Sequence, residues 1–179
     1  MIEIVVADTC SLVNFAVVGR LDILEDTCAR IRCVEAVVLE LRELSLTIPE
    51  VLGVLGAPWL GASIVLDDPL EVAAVERLRR RALGGRASLP RQHLGEAQSV
   101  HALTEMQSLA RATLLTDDLA AADFARRKGV LVMDSADVLS AAYDRQLVGC
   151  PEAYEILGAM RDADRGVRVP VSHLEVCPS

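Results

Sequence analysis

The feature that most constrains the fold is a repeated alternation. Five times along the chain a short, mostly apolar run is followed by a stretch of helical period. Ile2 to Ala7 precedes Leu12 to Val18, and Ala29 to Cys33 precedes Glu35 to Leu46. Ser63 to Leu66 precedes Leu70 to Leu83, Ala112 to Thr116 precedes Leu119 to Lys128, and Val130 to Met133 precedes Ala136 to Leu147. Brief, nearly continuous apolar strands are what a parallel sheet covered on both faces requires. The pattern predicts an α/β fold, a three-layer α/β/α sandwich around a mostly parallel central sheet. The punctuated stretches Pro49 to Ala62 and Gly84 to Pro90 read as loops. Residues 1–148 form the main unit. Residues 149–179 form an appendage, a helix from Glu152 to Asp162 and an extended tail from Val167, expected to dock on this sheet or on a second copy of the chain because Tyr154, Ile156, Leu157 and Met160 make an apolar stripe.

At 179 residues the chain suits one domain. Its core must be aliphatic, since hydrophobic residues make up 52% but aromatics only 3%. Single-strand binders that stack bases on aromatic platforms are thereby disfavoured. A net charge of -8 also argues against a polyanionic partner, unless the acids surround bound cations. The start MIEIVVADTC has no basic leader and no long apolar run, so the expectation is a cytoplasmic protein with no membrane contact. Five cysteines without a CxxC pair read as reduced, structural thiols. His93, His101 and His173 lack zinc-hydrolase spacing, and no GxSxG, GxGxxG or Walker lysine motif occurs.

Four carboxylates stand at informative places. Asp8 and Asp117 each follow an apolar strand, so both belong at the carboxyl edge of a parallel sheet, where open α/β proteins bind ligands. Either residue is also a good helix N-cap. Glu96 lies in line with Val100 and Leu103 on a helix, and Glu40 sits between Val37 and Leu44, each on the margin of an apolar stripe. A first-turn acid favoured by the helix dipole explains Glu96 equally well, and a boundary residue with a wet head explains Glu40. Convergent, the four would repel and require cations. Such a cluster makes chemical sense as a Mg²⁺ or Mn²⁺ site that activates water against a phosphodiester.

These motifs, in this order, resemble the PIN-domain family of metal-dependent nucleases, which includes the VapC-like toxins. The segments are Val6-Ala7-Asp8-Thr9-Cys10-Ser11-Leu12-Val13-Asn14, Val37-Val38-Leu39-Glu40-Leu41, Leu94-Gly95-Glu96-Ala97-Gln98-Ser99 and Leu114-Leu115-Thr116-Asp117-Asp118. The stretch Leu12 to Leu24 is closer to a prokaryotic subgroup than to the best-known toxins. The resemblance implies a divalent-metal-dependent endoribonuclease with Asp8, Glu40, Glu96 and Asp117 as metal ligands, directly or through water. Thr9, Ser11 and Thr116 would support them. Asp118 would either reach the site or cap the next helix, and Asp134 would cap. Mg²⁺ or Mn²⁺ is the implied cofactor and RNA the implied substrate, with a second copy of the chain as partner in a dimer and an antitoxin protein as a further partner if the role is that of a toxin. Arg77, Arg79, Arg80, Arg81, Arg86 and Arg91 are the only basic concentration; Arg86 and Arg91 are the candidates for RNA phosphates, against a solvated helix face with a Glu76–Arg80 pair. The rival readings are a catalytically inert module of the same fold that binds RNA or protein, and a DNA-directed nuclease.

Overall fold

The computed structural model describes residues 2–178. Its sheet has four parallel strands in the order β2-β1-β3-β4, namely β1 (Val5–Ala7), β2 (Ile31–Arg32), β3 (Thr113–Leu115) and β4 (Leu131–Met133). All of β1 is buried, as the continuous Val-Val-Ala run requires of a strand covered on both faces. The helices are α1 (Thr9–Val17), α2 (Leu21–Thr27), α3 (Glu35–Leu44), α4 (Val51–Leu55), α5 (Pro69–Arg81), α6 (Leu94–Glu105), α7 (Leu119–Arg127), α8 (Ser135–Asp144) and α9 (Glu152–Asp162). Together they make the three-layer α/β/α sandwich. Helix α6, backed by α5, lies over β1 and β3, α8 packs on β4 and α2, and α3 bridges α1 and α6.

Strand order fixes where a ligand can sit. From β1 the chain crosses to β2 on one side, and from β3 it crosses to β4 on the other, so the crossovers diverge between β1 and β3. At such a switch point the connections leave a crevice open outside the carboxyl ends of the strands. The paired register Ala7↔Leu115 places Asp8 and Thr116 side by side at that crevice.

Two expectations need correction, and one helix goes beyond them. Ser63 to Leu66 is not a strand: residues 60–64 meet the outer edge of β2 through the isolated bridges Ile31↔Leu60 and Val34↔Ile64. Between them the Arg32 guanidinium takes the Ala62 carbonyl at 3.0 Å, in place of a ladder hydrogen bond. The loop Pro49 to Ala62 contains α4, a single turn too short to show a period, held because Val51 and Val54 are fully buried against α1 and α3. The segment after Gly19 forms α2, which buries Ile23, Leu24 and Thr27.

Helix α9 packs on α8 and α1 and buries Ile156, Leu157 and Met160. Beyond it, among the described residues, the tail forms no strand. It is pinned instead by the Tyr154 hydroxyl on the Pro170 carbonyl at 2.8 Å, by Arg168 on Asp134 at 2.6 Å, and by burial of Val176 and Cys177.

Candidate active site

Asp8 is the N-cap of α1: its Oδ1 accepts from the Ser11 N–H at 2.9 Å. The cap is also the floor of a cleft, because the other oxygen, Oδ2, accepts from the Thr116 hydroxyl across the β1–β3 register and from the Cys10 thiol at 3.0 Å. Only 4% of Asp8 is exposed. Burial pushes its carboxyl up from 3.8 to about 6, against the downward pull of those donors.

The wall opposite is helical. Glu40 of α3 accepts a short hydrogen bond from Thr9, the first residue of α1. Glu96 opens α6, within reach of His93 at 3.4 Å. Gly95 allows the two helices to meet, since a Cβ there would stand 3.0 Å from a Val37 methyl and 3.6 Å from the Glu40 carboxylate. Gln98 adds a tie, its side-chain oxygen accepting from the Ala36 N–H at 3.1 Å in the uncapped first turn of α3. Burial raises the Glu40 pKa, the Thr9 bond lowers it, the Glu96 and Glu43 charges raise it and the Arg91 charge lowers it.

Asp117 goes elsewhere. Asp8 is level with Thr116, so Asp117 lies one residue further on and its side chain turns away. Its carboxylate accepts from Ser135 N–H at 3.0 Å, Ser135 hydroxyl at 2.6 Å and Asn14 Nδ2 at 2.8 Å. Burial raises its pKa and the Ser135 bonds oppose the rise. Asp118 both caps α7, accepting from Ala121 N–H at 2.8 Å, and faces the cleft. Asp134 caps α8. The open cleft, of about 270 Å³, is lined by Asp8, Thr9, Cys10, Glu40, Glu96 and Asp118, with Val37, Gly95 and Arg165. Three of the four sequence candidates therefore share it, while Asp117 does not line it and is linked to it through Asn14 and Arg165. Among the described residues, no three His, Cys, Asp or Glu side chains close together tightly enough to hold an ion by themselves.

Ser11 lies fully buried at this corner, and its hydroxyl has no hydrogen-bond partner although it stands near enough to Asp8 and Asp117 to lower both pKa values. A bound water would satisfy it. Cys10, one of the five thiols read as structural, touches Asp8 with its thiol; burial and the adjacent carboxylate push its pKa far up, which keeps it protonated and inert.

The arginine-rich segment does not line the cleft. Arg79 is buried, with Nη1 donating to the carbonyls of Arg86, Leu89 and Gln92 at 3.2, 3.0 and 3.1 Å, and it pairs with Glu76, which the sequence had matched to Arg80. Arg91 pairs with Glu43 on the exposed outer turn of α3, and Arg86 is exposed. The motif that carries Asp8 runs on to Asn14 without giving it a role, and Arg165 lies outside every motif. Asn14 did leave a signal, a polar residue inside the apolar run of α1; Arg165 left none.

Acids gathered beyond the carboxyl ends of adjacent parallel strands, at the switch point of an α/β sandwich, define an α/β protein with an anionic ligand cleft. A family model described as a PIN domain matches residues 4–176, and the chain belongs to the PIN-domain family. That span includes α9 and the tail up to Val176. No curated protein and no solved structure matches the chain significantly. PIN domains are generally nucleases, so the fold is nuclease-like. Among the described residues no helix is long and apolar enough to cross a membrane.

Proposed function

We propose that the chain is a divalent-metal-dependent endoribonuclease whose site is the cleft of Asp8, Glu40, Glu96 and Asp118, supported by Asp117. The observation that carries the reading is the convergence of Asp8, Glu40 and Glu96 on one cleft at the switch point, with Asp8 buried there at the cost of a raised pKa.

The donor set fits Mg²⁺ or Mn²⁺. It consists of carboxylate and hydroxyl oxygens, with no free thiolate and a single nearby imidazole, and hard cations take such ligands. Since, among the described residues, no three metal-binding side chains close on one point, the fit is to an ion that keeps several waters and is held by one or two carboxylates, the usual habit of Mg²⁺. When bound, such an ion neutralises the carboxylates, acidifies a water and stabilises charge developing on a phosphate. The chain supplies the rest. Thr116 and Ser11 N–H hold the Asp8 carboxylate in one orientation, and Thr9 does the same for Glu40. Glu40 Oε1 accepts no hydrogen bond from the described residues, which leaves it free to take a proton from an attacking water.

The test is cleavage of a labelled single-stranded RNA by purified protein. Cleavage in Mn²⁺, none in chelator and none by Asp8→Asn supports the reading; equal cleavage by the variant, or cleavage in chelator, overturns it. The toxin role is part of the same proposal. It predicts that expressing the wild-type chain arrests growth while expressing Asp8→Asn does not.

A further inference from the structure

Among the described residues, one cation lines the acidic cleft, and it comes from the far end of the chain. Arg165 lies three residues beyond α9, and the way that helix ends sets its direction. Asp164 adopts a left-handed φ of 57°. The Arg165 N–H donates back to the Met160 carbonyl at 3.1 Å and the Asp164 N–H to the Arg161 carbonyl at 2.9 Å. This is a Schellman ending, which satisfies the last carbonyls of the helix and turns the chain. The turn carries the Arg165 side chain across to α1, where its Nε donates to Asn14 Oδ1 at 3.0 Å. Asn14 is fully buried, and its other side-chain atom donates to Asp117. The guanidinium is therefore anchored through a rigid amide to the same carboxylate that Ser135 holds.

Both Nη groups make no hydrogen bond or ion pair with the described residues, although Asp8, Glu40, Glu96 and Asp118 line the same cleft. A guanidinium fixed at Nε with two free Nη donors suits a planar anionic oxygen pair, as in a phosphate. We infer that Arg165 is a substrate-binding residue that grips a phosphate of a single-stranded nucleic acid beside the acids, so that the segment after α9 completes the site. The inference deepens the nuclease reading above and rests on it for the identity of the anion as a nucleic-acid phosphate. It also accounts for how a protein of net charge -8 holds a polyanion with few ions bound.

The test compares wild type, Arg165→Gln and Arg165→Lys in three measurements: Mn²⁺ calorimetry, affinity for a fluorescent single-stranded RNA across a salt series, and cleavage of that RNA. Arg165→Gln should bind Mn²⁺ as wild type does yet lose roughly tenfold in RNA affinity. Its slope of log affinity against log salt should fall by about 0.7, the value for one lost single-strand phosphate contact. Arg165→Lys should keep the slope and recover only part of the affinity, because a lysine restores the charge without the Nε anchor on Asn14. Unchanged affinity and slope in Arg165→Gln overturns the inference, and cleavage by both proteins in that case leaves the nuclease reading standing. RNA binding that depends on Arg165 without any metal-dependent cleavage sinks the nuclease reading and keeps the inference. Wild type that binds no RNA sinks both.

Discussion

Two arginine-bearing regions of this molecule invite opposite conclusions. Between residues 77 and 91 the chain carries six arginines, and after α9 a single arginine meets the cleft. The dense region is spent on structure and solvent. Arg79 is buried as the hub of the loop that delivers α6, with Gly85 pressed so close that a Cβ there would lie 2.7 Å from its Nη1. Arg77, Arg80 and Arg81 sit with Glu76 on a separate patch, and Arg91 is paired with Glu43. The sparse region carries two: Arg168 pairs with Asp134, and Arg165 places its guanidinium against Asn14, among the acids. Charge density along a sequence thus says little about where charge is used. The anchoring partner decides, and here the partner of Arg165 is Asn14 of α1, 151 residues away in sequence, which in turn holds Asp117 just beyond β3.

The strongest way to break the contrast is at Arg79. Replacing it by Ala leaves three loop carbonyls without their donor, so a loss of about 3–5 kcal/mol is expected, with a melting temperature lower by on the order of 10 °C. Thermal unfolding checks this, and a loss below about 1 kcal/mol would mean that Arg79 is another solvated cation.

Next in size is the acidic side. The folded Asp8 pKa of about 6 lies above its ordinary 3.8. Between those values the folded state binds the extra proton, so this residue's contribution to stability declines as pH rises through 6. Asp8→Asn removes that decline while keeping an N-cap, since Asn caps well and the Thr116 hydroxyl can rotate to accept. In metal-free buffer the variant should gain up to about 3 kcal/mol at pH 8 and almost nothing at pH 4. Melting curves at the two pH values separate this from a uniform effect; a variant less stable than wild type at pH 8 contradicts the burial account.

The smallest effect belongs to the loop. Exchanging Arg86 and Arg91 together for Gln should alter stability by less than about 1 kcal/mol, because the Arg91–Glu43 pair is exposed. The RNA affinity of this double variant should fall less than that of Arg165→Gln. A larger fall, measured in the same salt series, would return substrate binding to the segment the sequence favoured.

The sheet and its acids could be read locally because their signals are local. Val5 to Ala7 is a continuous apolar run and Thr113 to Leu115 a nearly continuous one, and an acid or hydroxyl follows each at the strand's end. Glu40 and Glu96 betrayed themselves as acids on apolar stripes. The register was not local: the pairing Ala7↔Leu115 sets Asp8 beside Thr116 and turns Asp117 toward Ser135, which no spacing within either segment reveals. Helices α2 and α4 escaped because seven and five residues are too few to establish a period. Arg165 sits in the polar stretch Asp162-Ala163-Asp164-Arg165-Gly166, where it resembles any solvated residue until the Schellman turn and Asn14 give it a direction.

The central claim is that the cleft is a divalent-metal site whose carboxylates serve RNA hydrolysis, and calorimetric titration of wild-type protein with Mn²⁺ over a pH series tests it most directly. Saturable binding at pH 7.5 is expected, weakening steeply as pH falls through about 6, where Asp8 takes up its proton and competes with the ion for the same oxygens. Absence of a saturable site at pH 7.5, or binding that does not change between pH 7.5 and pH 5, would contradict the claim and leave the acids as helix caps and solvated wall residues.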